Sequence, residues 1–146
     1  MCSNVGGVAA DMLIARQWGV TRTRKLLNSA GFAAASIALL ALPGASTLNG
    51  TVALACCAMG SLALARGGYS VNHMDIAPRH AGVLMGLSNG AGSMAGMVGP
   101  WVTGRILERA GSQAAAWHSA CAVPAGLCTL GAVVFAALGT GERLFD

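Results

Sequence analysis

The chain alternates long uncharged runs with short polar breaks. No charged residue occurs from Leu26 to Ala65, a run about twice the roughly 20 residues that carry one helix across a bilayer. Pro43-Gly44 and Asn49-Gly50 divide it, since both pairs favour turns, and the pattern predicts helices over 25–42 and 51–73. Asp75 to His80 is a polar connection in which Pro78 disfavours helix at Ala77 and can itself open the next one. A second uncharged run, Ala81 to Gly104, predicts a helix over 81–107, and a last one covers 115–138. Residues 16–24 read as a basic loop and 139–146 as a tail. Residues 1–15 are apolar apart from Asp11 yet too short to span, and read as the end of a membrane helix that began earlier.

Composition turns these runs into spans. Hydrophobic residues make up 55% of the chain and charged ones 10%, where a soluble domain needs about 25% charged residues to solvate its surface. Glycine is abundant, at 21 residues, and small residues let helices approach closely in lipid, where burying large apolar groups gains little. The net charge of +4 does not make a nucleic-acid surface, because the basic residues flank apolar runs instead of lining one face. The fold class is therefore all-α membrane, with the lipid bilayer as partner and no nucleic acid.

Charge also orients the spans. Arg16, Arg22, Arg24 and Lys25 precede the first full span, Arg79 follows two crossings later, and Arg143 two more. The excess of Lys and Arg in cytoplasmic loops puts these three segments in the cytoplasm. Arg105 and Arg109 fall on the opposite side and dissent, with Glu108 between them.

Four of the five cysteines, Cys56, Cys57, Cys121 and Cys128, lie inside apolar runs. With no C-x-x-C pair and no histidine at ligand spacing, they read as small packing residues and not as a metal site. No cofactor is implied. Neither a Ser/His/Asp set nor a carboxylate pair is spaced for catalysis, which speaks against an enzyme.

Two motifs carry a resemblance. Gly7-Val8-Ala9-Ala10-Asp11, with a loop ending in Arg24-Lys25, resembles the cytoplasmic-loop signature of the major facilitator superfamily. Val71 to Arg79, followed by Gly82-Val83-Leu84-Met85-Gly86-Leu87-Ser88-Asn89, is similar to the anion–cation symporter family, which holds sodium–phosphate, vesicular glutamate and plant anion transporters. The ending Thr140 to Asp146 and the stretch Thr21 to Asn28 look nearest to the Golgi-type phosphate transporters of plants and algae. The resemblance covers essentially the whole chain. It implies a partial major facilitator bundle, the end of helix eight plus helices nine to twelve, with the amino-terminal half missing. It further implies ion-coupled transport of inorganic phosphate or a related organic anion, with sodium or a proton as coupling ion, in a Golgi membrane or plastid envelope and not the plasma membrane. A carboxylate transporter of the same family, or a small four-span scaffold, are the alternatives.

Within that frame nine residues are candidates. Gly7, Asp11, Arg24 and Lys25 form the gating motif: the Asp11 carboxylate either pairs with Arg24 or Lys25 as a latch or is simply solvated at the interface. Arg66 lies about five residues, or roughly 8 Å, inside the end of its apolar run. A cation at that depth needs an anion, a wet cavity or a snorkelling path along Tyr69. His73 and Asp75 either relay a proton and pair with Arg79, or serve structurally, with Asp75 capping the loop before Pro78. Ser88 and Asn89 line the path or bond across to a neighbouring helix. The glycines Gly82, Gly86, Gly90, Gly92, Gly96, Gly99 and Gly104 read as a packing face, with hinge-like freedom near Pro100.

Overall fold

The structure is a computed structural model and describes residues 2–15 and 19–141, without the side chains of residues 2–6, 9, 11 and 71. Five α-helices follow one another: α1 (Cys2–Ala15), α2 (Val20–Ala41), α3 (Leu48–Ile76), α4 (Ala81–Arg109) and α5 (Gln113–Leu138). No strand occurs among the described residues. Short 3₁₀ turns at Leu42–Gly44 and Pro78–His80 join α2 to α3 and α3 to α4.

Helix starts follow side-chain caps more than apolarity. α3 begins at Leu48, three residues earlier than expected, because Thr47 Oγ1 accepts from Gly50 N at 3.2 Å. Asn49-Gly50 therefore belongs to the first turn of α3, and the chain reverses at Pro43-Gly44 alone. Ser112 caps α5 the same way, accepting from Ala115 N at 3.3 Å. α2 starts at Val20, so Arg22, Arg24 and Lys25 are helical and not part of a loop. Helix propensity tolerates Arg, Lys and Thr well enough to add a turn beyond the apolar stretch. α3 stops at Ile76, and Ala77 before Pro78 leaves the helical region at φ −149°, ψ 75°, as the proline dictates.

Among the described residues, three helical segments are long and apolar enough to cross a membrane: Val20–Gly44, Leu48–Ile76 and Gln113–Leu138. Four were expected. α4 has the same 29-residue length as α3, but its seven glycines supply no apolar side chain. It runs unbroken through Pro100 to Arg109.

The core is built from small side chains. Buried apolar residues are Ala10, Ala35, Ala38, Ala58, Ala65, Ala77, Ala116, Ala120, Cys121 and Ala125, while Leu48, Met97, Trp101, Leu127 and Leu138 point outward. The tightest seam joins α2 and α3. A Cβ added to Gly68 would sit 2.7 Å from the Arg24 carbonyl oxygen and 2.8 Å from Asn28, and one added to Gly31 would sit 2.7 Å from the Ser61 carbonyl oxygen. α5 closes on α2 from another side, where Ser36 Oγ donates to the Ala125 carbonyl at 3.1 Å and meets Thr129 Oγ1 at 3.0 Å. Cys121 is buried, but Cys56 and Cys57 are exposed, so those two are not core packing residues.

α4 stands apart. None of its seven glycines has a neighbour within 4 Å of the position a Cβ would take, so the expected close packing of that face is not made within this chain. Gly68→Ala is accordingly expected to cost about 1–3 kcal/mol by overpacking, and Gly86→Ala to be neutral or to stabilise by up to about 1 kcal/mol through helix propensity. Thermal loss of helicity in detergent micelles, followed by circular dichroism, separates them; equal melting of Gly68→Ala and the unmodified chain would contradict the seam.

A cleft and an ion-paired helix end as candidate functional site

Antiparallel α2 and α3 bring the start of one beside the end of the other, and there Arg24 meets Asp75. Arg24 Nε donates to Asp75 Oδ2 at 2.8 Å and a second guanidinium nitrogen lies 3.5 Å from Asp75 Oδ1. Arg24 also donates to the Gly67 carbonyl at 2.9 Å. The two side chains are 7% and 22% exposed, so the pair sits in a largely dry seam. At the same end the Gly141 backbone N–H donates to Thr21 Oγ1 at 2.9 Å, tying the last described residue to the first turn of α2.

This corrects the expected pairings. Asp75 belongs to the last turn of α3, where it neither caps the following loop nor bonds to Arg79. Arg24 takes a carboxylate from Asp75, 51 residues away. The side chain of Asp11 lies outside those described, and so does the loop residue Arg16. Lys25 is half-buried on α2 with no carboxylate partner among the described residues.

His73 and Asp75 do not work together. Two residues along a helix are about 200° apart in rotation, which turns Asp75 toward α2 and His73 toward α1 and α4. His73 Nδ1 lies 2.9 Å from the Ser70 carbonyl. A carbonyl only accepts, so Nδ1 carries the proton and Nε2 is left for other partners.

On that second face of α3 is a cleft of about 300 Å³, lined by Gly7 of α1, by Arg66, Gly67, Tyr69, Ser70 and His73 of α3, and by Met85, Ser88 and Asn89 of α4. Five of the nine candidates therefore converge: Gly7, Arg66, His73, Ser88 and Asn89. Arg66 and His73 are seven residues apart, two turns along one helical face. α3 runs ten residues past Arg66 to Ile76, which places the Arg66 backbone about 15 Å from the helix end. Tyr69 stacks on Phe32 of α2, ring centres 6.1 Å apart, and is fixed on one wall. Tyr69 and Ser70 were not among the candidates; their i+3 and i+4 spacing from Arg66 was the signal that could have found them.

The chemistry of the lining is one-sided. Among the described residues it holds a guanidinium, an imidazole, three hydroxyls and a side-chain amide, and no carboxylate. Such donors suit an oxyanion, which a planar guanidinium can grip through two parallel bonds.

Comparison with known proteins agrees with that polarity. The chain is 46% identical over 99% of its length to probable anion transporter 6 of Oryza sativa subsp. japonica. Over nearly all of its own length the chain is thus similar to proteins named as anion transporters. It is 37% identical to the sodium-dependent phosphate transport protein 1, chloroplastic, of Arabidopsis thaliana over 99% of the chain, and 33% identical to vesicular glutamate transporter 2 of Bos taurus over 95%. It spans 35%, 27% and 24% of these relatives, so about a third of the length of the most similar of the three. No family model matches the chain. Among the described residues no group of three His, Cys, Asp or Glu could hold a metal ion.

The ion pair gives a direct test. Asp75→Asn leaves a buried guanidinium without its charge partner and is expected to destabilise by about 3 kcal/mol, the low end for buried pairs because Asp75 keeps some solvent. Replacing both, Arg24→Met with Asp75→Leu, should recover most of that loss. A double-mutant cycle on unfolding in detergent measures the coupling; a value near zero would mean the pair carries no stability.

Proposed function

We propose that the chain forms the carboxy-terminal part of an ion-coupled secondary transporter for inorganic phosphate or a related organic anion, working by alternating access. The observation that carries this reading is the cleft in which Arg66, His73, Ser88 and Asn89 converge with no carboxylate among the described lining residues, and the similarity to anion and phosphate transporters supports it. Arg66 is the principal anion ligand. It is exposed on a helix otherwise apolar enough to span a bilayer, and an anion in a wet cleft supplies the charge partner that lipid would not. Ser70, Ser88 and Asn89 orient the remaining oxygens. His73 or a sodium ion balances charge in the coupled step.

The Arg24–Asp75 pair serves as the latch at one end of the bundle. It holds the start of α2 to the end of α3, and breaking and remaking it gives the two-state element that gating needs. Asp11 and Lys25 at the same motif complete it. Arg22, Arg24, Lys25 and Arg79 gather at this end, which faces the cytoplasm by the bias of basic residues. The fourth span is α4. The membrane is that of the Golgi or the plastid envelope, and the chloroplastic phosphate transport protein among the relatives supports the envelope. A carboxylate substrate is the second reading, favoured by the similarity to a vesicular glutamate transporter; a carboxylate fits the same guanidinium fork.

A chimera in which this chain replaces the matching third of the rice relative tests the proposal in proteoliposomes with radiolabelled phosphate. Arg66→Ala is expected to lower uptake by roughly tenfold or more, the worth of one charged hydrogen-bonding group. Arg66→Lys, which keeps the charge but loses the fork, should fall between. Uptake of glutamate but not phosphate would select the second reading, and full phosphate uptake by Arg66→Ala would remove Arg66 from the path.

A further inference from the structure

The arginines that dissent from the cytoplasmic charge bias share a cleft of their own. It lies where the last turns of α4 meet the first turns of α5, encloses about 500 Å³, and is lined by Trp101, Val102, Arg105, Ile106, Arg109, Ala110 and Ser119. The end of α4 that bears it is the one opposite Arg79 and His80. Arg105 and Arg109, one helical turn apart, present two guanidiniums on the same face of α4, with Cβ atoms about 5–6 Å apart. The Arg105 guanidinium stands 5.7 Å from the centre of the Trp101 ring. Its carboxylate contact is weak: Glu108 Oε2 is 3.5 Å away, both side chains are more than half exposed, and Glu108 does not line the cleft. Arg109 has no carboxylate partner among the described residues.

We propose that this cleft binds the headgroup phosphate of an anionic glycerophospholipid. Three features select that ligand. Paired guanidiniums straddle a phosphodiester bearing one negative charge, each able to bond its oxygens in bidentate fashion. Trp101, 64% exposed and one turn before Arg105, suits the boundary between headgroups and acyl chains that tryptophan prefers. Val102 and Ile106 give the wall below the charges an apolar surface for the first acyl carbons. Ser119 of α5 faces the arginines and adds a hydroxyl donor. The site also explains why two arginines stand at the end that the charge bias leaves poor in them: a bound lipid phosphate compensates them there. A zwitterionic lipid carries its own ammonium beside the phosphate and gains less.

The proposal is independent of the α1–α3–α4 cleft and of any transport activity. It is tested on the chain itself, purified from nanodiscs holding an equimolar mixture of phosphatidylglycerol and phosphatidylcholine, by mass spectrometry of the retained lipid. The unmodified chain is expected to keep phosphatidylglycerol in preference by about tenfold, on the scale of basic side chains near an anionic surface. Arg105→Gln with Arg109→Gln should abolish the preference, while Arg79→Gln at the other end leaves it intact. Ser119→Leu fills the cleft from α5 without changing charge and should weaken the preference with helicity unchanged, which covers the case in which the double variant fails to fold. Equal preference in the double variant and the unmodified chain would overturn the proposal. So would displacement of the lipid by millimolar inorganic phosphate, which would make this a site for a free anion.

Discussion

Everything in this structure hangs on how close α2 and α3 can come. Helices in lipid gain nothing by hiding large apolar side chains from one another, because the acyl chains outside are equally apolar. What remains is close contact, which needs small residues where the axes approach. Gly31 against Ser61 and Ala65, and Gly68 against Arg24 and Asn28, supply it. The inversion of the usual globular pattern follows: the buried apolar residues are nearly all alanine, and leucine, methionine and tryptophan face outward.

That seam determines what the two faces of α3 can do. With α2 pressed against one face, only a side chain long enough to reach along the groove can neutralise Asp75, and Arg24 does so from a position held by the same packing. The opposite face is left to α1 and α4, which approach less closely, and the space between them is the cleft of Arg66 and His73. An ion pair and a polar cavity thus share one helix without sharing residues. The separation is rotational: residues two apart cannot serve the same face of a helix.

Much of the fold was legible because charge-free runs and proline boundaries are one-dimensional signals. Pro78 marked the break after α3, though the helix runs to Ile76, three residues past the expected end. The start of α3 was misjudged because Asn49-Gly50 carries a turn signal that the Thr47 cap overrode. Of the site, the convergence of Arg66, His73, Ser88 and Asn89 was anticipated only as a set of polar residues within apolar runs. The Arg24–Asp75 pair was not anticipated, since its 51-residue separation shows only when the hairpin register is known. That register depends on which glycines meet, and periodicity does not encode it.

The depth of Arg66 gives the strongest constraint on its role. Arg66 lies ten residues, about 15 Å along the axis, before the end of α3, within a helix long and apolar enough to cross a bilayer. Tyr69 itself is committed to stacking on Phe32, which removes it as a flexible escort. A cation in that position must find its counter-charge in the cleft. The described lining offers no carboxylate, and the proposed anion would supply the compensating charge. Binding strong enough to neutralise Arg66 would also hold that anion in place, unless something changes the balance within the cycle. The imidazole of His73 lines the same cleft, two helical turns from that guanidinium.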